Sequence, residues 1–182
     1  STDLELGYDG TIPQMVGMRF RNISVPQGAI VTNAYIEFET DAVWSTATSL
    51  TISGQYANTT TTFTTAASNI SSRPKTTATV PWIPSAWNTV SQKHQSPNIK
   101  NIVQEIVNRP GWVSGNSMAM FVTGTGRREA EAYDGEAANA PRLVITYERC
   151  IEICDNGIDD DNDGYADCAD SECLLSSCFS GF

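Results

Sequence analysis

The sequence predicts an all-β protein: a two-layer antiparallel β-sandwich of jelly-roll type with one short helix over residues 1–149, then a small Cys-rich appendage over residues 150–182. Three observations carry this. Many short stretches alternate apolar and polar residues, the mark of strands buried on one face. A single stretch has apolar residues at helical spacing. All five cysteines lie in the last 33 residues, with nine of the 21 acids and no Lys or Arg. At 182 residues the chain is long enough for one sizeable core and an appendage.

In order, residues 4–8 form a short alternating strand ended by the Asp9-Gly10 turn, and residues 15–20 form a second with Val16, Met18 and Phe20 on one face. Residues 29–40 are the clearest strand. Ile30, Ala34, Ile36 and Phe38 face one way, and Asn33, Tyr35, Glu37 and Glu39 face the other. Each large side chain fully buried on that face contributes about 1.5–3 kcal/mol, enough to fix the register. Residues 50–56 are a further strand. The Thr/Ser/Ala-rich stretch 57–72 is either a linker or an ordered excursion across one end of the sandwich. Residues 77–80 form a strand, after which Trp82 and Trp87 cap the core. His94 falls in a polar loop and is expected to be exposed and functionally silent.

The helix covers residues 98–108, with Ser96 or Asn98 as its cap and Ile99, Ile102, Val103, Ile106 and Val107 as its apolar stripe. Pro110-Gly111 stops it, and it should close an open edge or end of the sheets. Residues 117–123 form a central strand. Residues 127–133 form an alternating strand with its charges toward water, and residues 141–147 form the last.

The formal charge of -10 is concentrated in the tail, because residues 1–149 hold twelve acids against eleven bases. A negative field and scattered basic residues argue against a nucleic-acid partner. No apolar run approaches membrane-span length, so no membrane insertion is expected. Laid on the twelve-position calcium loop, residues 159–170 place Asp159, Asp161, Asp163, Asp167 and Asp170 at positions 1, 3, 5, 9 and 12, with Gly164 at position 6 and the Tyr165 carbonyl at position 7. Hard oxygen ligands around a sharp turn are what Ca2+ requires. No helix is expected on either side of this loop, so it is not a sensor of the EF-hand type. In the body, Asp3, Asp9, Asp134 and Glu136 lie near turns where carbonyls could complete a second calcium site.

Cys150, Cys154, Cys168, Cys173 and Cys178 lack zinc-finger spacing. Interleaved with the loop, they read as a small disulfide framework and place the chain outside the cytoplasm. At most two intrachain bridges form, leaving one sulfur over. The pairing stays open, with Cys154–Cys168 preferred because it brackets the loop. Asn22, Asn58 and Asn69 each begin an N-glycosylation acceptor. No nucleophile–base pair can be assembled from the sequence. Glu129, Glu131, Asp134 and Glu136 are better read as alternation on a wet strand than as a glycosidase pair, and no enzyme activity is expected.

Residues 4–8, 16–20, 23–38, 70–74, 104–112, 140–145 and the run Gly126-Arg127-Arg128-Glu129-Ala130-Glu131-Ala132-Tyr133-Asp134-Gly135 resemble, in order and spacing, the DNRLRE-like, carbohydrate-binding-type β-sandwich module of secreted bacterial surface proteins. Residues 154–173 resemble the Asp-rich calcium-binding segments akin to thrombospondin type 3 loops. The resemblance implies an extracellular, calcium-stabilised, non-catalytic module. Two functions are expected, as alternatives. The chain is a structural protein of the cell surface or matrix, self-associating as a fibre subunit or docking on other surface proteins. Alternatively it is a carbohydrate-binding adhesion module that stacks polysaccharide on Trp82, Trp87, Trp112 or Tyr133.

Overall fold

The structure, a computed structural model, describes residues 2–148, Cys154, 156–159, 165–169 and Cys173, with the side chain of residue 168 left out. Ten strands, one α-helix and a short 3-10 turn (Asp167–Ala169) appear among them: β1 (Asp3–Asp9), β2 (Ile12–Pro13), β3 (Val16–Phe20), β4 (Ile30–Ala42), β5 (Ser49–Gln55), β6 (Lys75–Trp82), β7 (Lys93–Gln95), α1 (Lys100–Val107), β8 (Met118–Thr125), β9 (Arg127–Glu131) and β10 (Arg142–Glu148). They build two antiparallel sheets. One has six strands in the order β10-β4-β9-β1-β2, with β7 also on β4; the other has four, β3-β8-β5-β6. This is the two-layer sandwich expected, with β8 central in the smaller sheet.

The alternation of β4 sets the larger sheet. Ala34, Ile36 and Phe38 are buried while Glu37, Glu39 and Asp41 lie on the outer face. β10 and β9 take successive stretches of β4, pairing Arg142–Glu148 against Ile30–Glu37 and Ala130 against Thr40. Between the sheets, Phe38 and Ile36 meet Leu50, Ile52, Met120 and Val122. Trp82, Trp87 and Trp112 are all buried. Phe38 stacks on Trp82 at 5.5 Å, and Trp112 Nε1 donates to the Val25 carbonyl. The capping role expected of Trp82 and Trp87 is therefore full core packing.

The helix is shorter than the sequence reading. Its N-cap position is Ile99, which makes no side-chain cap hydrogen bond. Asn98, one residue earlier, accepts from Lys100 N–H at Oδ1, and Ser96 Oγ accepts instead from Ile36 N–H on β4. Helix α1 lies against β4, β5 and β6. It approaches β5 so closely that a Cβ on Gly54 would come within 2.8 Å of Ile102 and Ile106.

Three expectations change. The Thr-rich stretch is ordered, but it lies over the outer face of the smaller sheet rather than across an end. Phe63 packs on Phe121 and beside Gly17, while the Arg73 guanidinium reaches Gln55, Asn69 and the Thr61 and Thr62 carbonyls. His94 is half-buried, not exposed, because β7 pairs it with Phe38 and its ring stacks on Trp87 at 4.5 Å. β9 does not turn all its charges to water: Arg128 is 2% and Glu129 8% exposed. Arg128 faces inward with Ala130, and its guanidinium is met by the carbonyls of Thr46, Pro84, Ser85 and Arg127 and by Thr48 Oγ1.

Candidate functional site

The outer face of β1, β9 and β4 is acidic by register. Pairing puts Asp3 opposite Glu131 and Glu5 opposite Glu129 across the β1–β9 ladder. On the far side of β9, the ladder with β4 slips between Thr40 and Ala42, and Asp41 sits at that irregularity. A β-bulge of this kind re-aims a side chain. Asp3, Asp41 and Glu129 consequently bring one carboxylate oxygen each to within 4.8 Å of one another. Three hard oxygens at that separation can hold a metal ion.

Like charges facing one another across a ladder are costly, and burial adds to that cost on this face. Glu131 is pushed above its ordinary value, first by burial and then by Asp41, Glu136 and Glu39. Glu5 is raised for the same reasons: burial first, then Asp3, Asp9 and Glu129. Glu129 has a basic neighbour. Its Oε2 accepts from Arg127 Nε at 3.0 Å, from the Arg127 terminal nitrogen at 2.6 Å and from Trp44 Nε1 at 2.9 Å. The guanidinium carbon of Arg127 lies 4.3 Å from the Trp44 ring centre, and Asp9 is 3.8 Å from Arg127 on its other side. Glu129 is thus held in one orientation, with Asp3 and Asp41 beside it.

The body site foreseen from the sequence shares only Asp3 with this cluster. Asp9 lies toward Arg127, and Asp134 and Glu136 are exposed in the turn after β9. Asp41 and Glu129 were missed because they meet through strand pairing far apart in sequence. The signal available was the acidic alternation at Glu129 and Glu131, read as solvated.

In the appendage, Asp159, Tyr165 and Asp167 are described, while Asp161, Asp163 and Asp170 lie outside the described residues. Asp167 Oδ1 accepts from the N–H groups of Asn156 and Gly157, and Asn156 Oδ1 accepts from Ile158 N–H. Position 9 of the loop therefore folds back on the turn that precedes position 1. Cys154 is bonded to Cys173, 19 residues on, which corrects the Cys154–Cys168 preference. The wider bridge closes the chain beyond position 12 and so encloses the whole loop rather than cutting across it. Cys150 and Cys178 lie outside the described residues, as does the side chain of Cys168.

Of the four aromatic candidates for sugar stacking, Trp82, Trp87 and Trp112 are corrected to core residues, because their rings fill the space between the sheets. Tyr133 is 65% exposed in the turn following β9. No described helix is long and apolar enough to cross a membrane. No family model, curated protein or solved structure matches the chain.

Proposed function

We propose that this chain is a non-catalytic extracellular structural module of a cell surface or matrix, related to the DNRLRE-like sandwiches, held rigid by Ca2+ and disulfides and assembling with copies of itself. The observation that carries the reading is the convergence of Asp3, Asp41 and Glu129 on the outer face of the larger sheet. Burial first and neighbouring carboxylates second raise Glu131 and Glu5; a divalent cation there relieves the repulsive part and ties β1, β4 and β9 together. Calcium suits the all-oxygen donor set better than softer metals, which favour nitrogen or sulfur ligands. The Asp-rich loop from Asp159 to Asp170 provides a second calcium site, closed by Cys154–Cys173. That bridge supports the extracellular placement, since disulfides persist in oxidising compartments.

The test is electron microscopy of purified oxidised protein with calcium and after a chelator. Assemblies that loosen on chelation are expected, and dispersed monomer at high concentration with calcium would remove the structural reading. The adhesion-module alternative rests on Tyr133, which is exposed beside the acidic face. It predicts calcium-dependent polysaccharide retardation that Tyr133→Ala abolishes.

A further inference from the structure

β10 has one strand partner, β4, and its other edge carries no hydrogen bond among the described residues. The groups that edge presents follow from β4. Ala34 N–H donates to Asn98 Oδ1 and Ile36 N–H to Ser96 Oγ, while their carbonyls accept from Ile99 and Ser96. Asn33, Tyr35 and Glu37 therefore turn toward β10, opposite Thr146, Val144 and Arg142. Alternation leaves Leu143 and Ile145 with N–H and C=O directed away from β4. Tyr147 joins them, because the register slips after Thr146 and sets it against Val31, whose N–H is taken by Gln104. The side chains of Leu143, Ile145 and Tyr147 pack on the core, while those of Arg142, Thr146 and Glu148 are exposed.

Two other edges of the fold are closed. Both oxygens of Glu105 on α1 accept from β6, one from Thr77 N–H and one from Ala78 N–H, each at 2.8 Å. β2 is two residues long and includes Pro13, which has no N–H. β10 is seven residues long and has no such device.

We propose that β10 pairs antiparallel with β10 of a second copy about a two-fold axis at Ile145, joining the two larger sheets into one. In that register Ile145 meets its own counterpart and Leu143 meets Tyr147, so all three outward-directed residues form hydrogen-bonded pairs. The same register sets Arg142 against Glu148 of the second copy at both ends of the ladder, and Val144 against Thr146. Sliding one strand by two residues loses both charge pairs, and in one direction it brings Pro141 into the ladder. Sequence and symmetry thus select one register. The inference deepens the self-association of the proposed function and rests on it.

The test is sedimentation equilibrium of the full oxidised chain over a concentration series, with hydrogen exchange measured at residues 142–148. A monomer–dimer equilibrium is expected, with protection of the Leu143, Ile145 and Tyr147 amides rising with concentration. Arg142→Glu should weaken the dimer about tenfold, because two attractive cross-strand pairs become repulsive. The double variant R142E/E148R should restore it. E148R alone, at a position that faces Ile30 rather than a charge on β4, should weaken the dimer as R142E does. A loss shared by both is then read at the interface and not from Glu37 opposite residue 142. A dimer indifferent to the charge reversal, or amides that exchange freely in it, overturns edge pairing while leaving self-association in place. A monomer under all conditions overturns both.

Discussion

Asp3 stands directly opposite Glu131 across the β1–β9 ladder, and Glu5 stands opposite Glu129 two residues further along. A sheet that sets two pairs of carboxylates face to face forgoes stability unless a cation joins them. With Asp41 turned in from β4, the cluster has a donor from each of three neighbouring strands. A bound ion would therefore cross-link the sheet rather than decorate one loop.

Removing one carboxylate separates repulsion from binding. Glu131→Gln should raise the melting temperature in chelator at pH 7 and do little at pH 4. Glu131 and Glu5 have folded values above their ordinary 4.5, so the folded state holds its protons longer. Their stabilising contribution is complete below that ordinary value and is lost as pH rises through the raised folded values. Thermal melts of the wild type and Glu131→Gln at both pH values check this.

The opposite dependence belongs to His94. Burial first, and the nearby Arg128 second, hold its imidazole below the ordinary 6.5, and among the described residues its buried Nε2 has no hydrogen-bond partner. The unfolded chain then takes up a proton that the folded chain refuses, and stability falls as pH drops below 6.5 toward the lower folded value. His94→Phe keeps the ring stacked on Trp87 and should flatten that loss. Urea denaturation of both proteins at pH 7 and pH 5 measures it.

Arg128 is a buried cation surrounded by carbonyls, clamping the segments around Thr46 and Ser85 to β9. Arg128→Met should destabilise the protein by about 3 kcal/mol or more, because several buried acceptors lose their donors together. Arg128→Lys should recover only part of it, since a single ammonium cannot span the fork of contacts. Equilibrium denaturation gives both values.

Cys154–Cys173 should be recovered as a linked peptide after non-reducing digestion. Cys173→Ala should cost the appendage about 3 kcal/mol of local stability through loop-closure entropy. The midpoint of the sandwich should stay unchanged, as its core contains no cysteine among residues 2–148. Hydrogen exchange by region distinguishes the two.

The strands were legible because Ile36, Phe38 and their polar alternates obey a period of two, and the helix because its apolar residues recur at 3.6. Arg128 and Glu129 defeated the same reading. Alternation places them on opposite faces but cannot say that the inward face holds a ring of carbonyls, or that the outward one lies against Asp41, which comes from 88 positions earlier. Such a site exists only after β4, β9 and β1 have paired. The tail was legible in another way, because a calcium loop is contiguous and its spacing is its chemistry. Pairing among five cysteines was not, since spacing alone leaves it open.

Isothermal titration of calcium into the full oxidised chain tests the central claim most directly. Two classes of site are expected: one lost in Asp41→Asn, the other lost in Asp159→Asn. Saturation of both should raise the melting temperature by roughly 5–10 °C at a hundredfold excess over the dissociation constant. No binding at millimolar calcium, with a melting temperature indifferent to chelator, would contradict it.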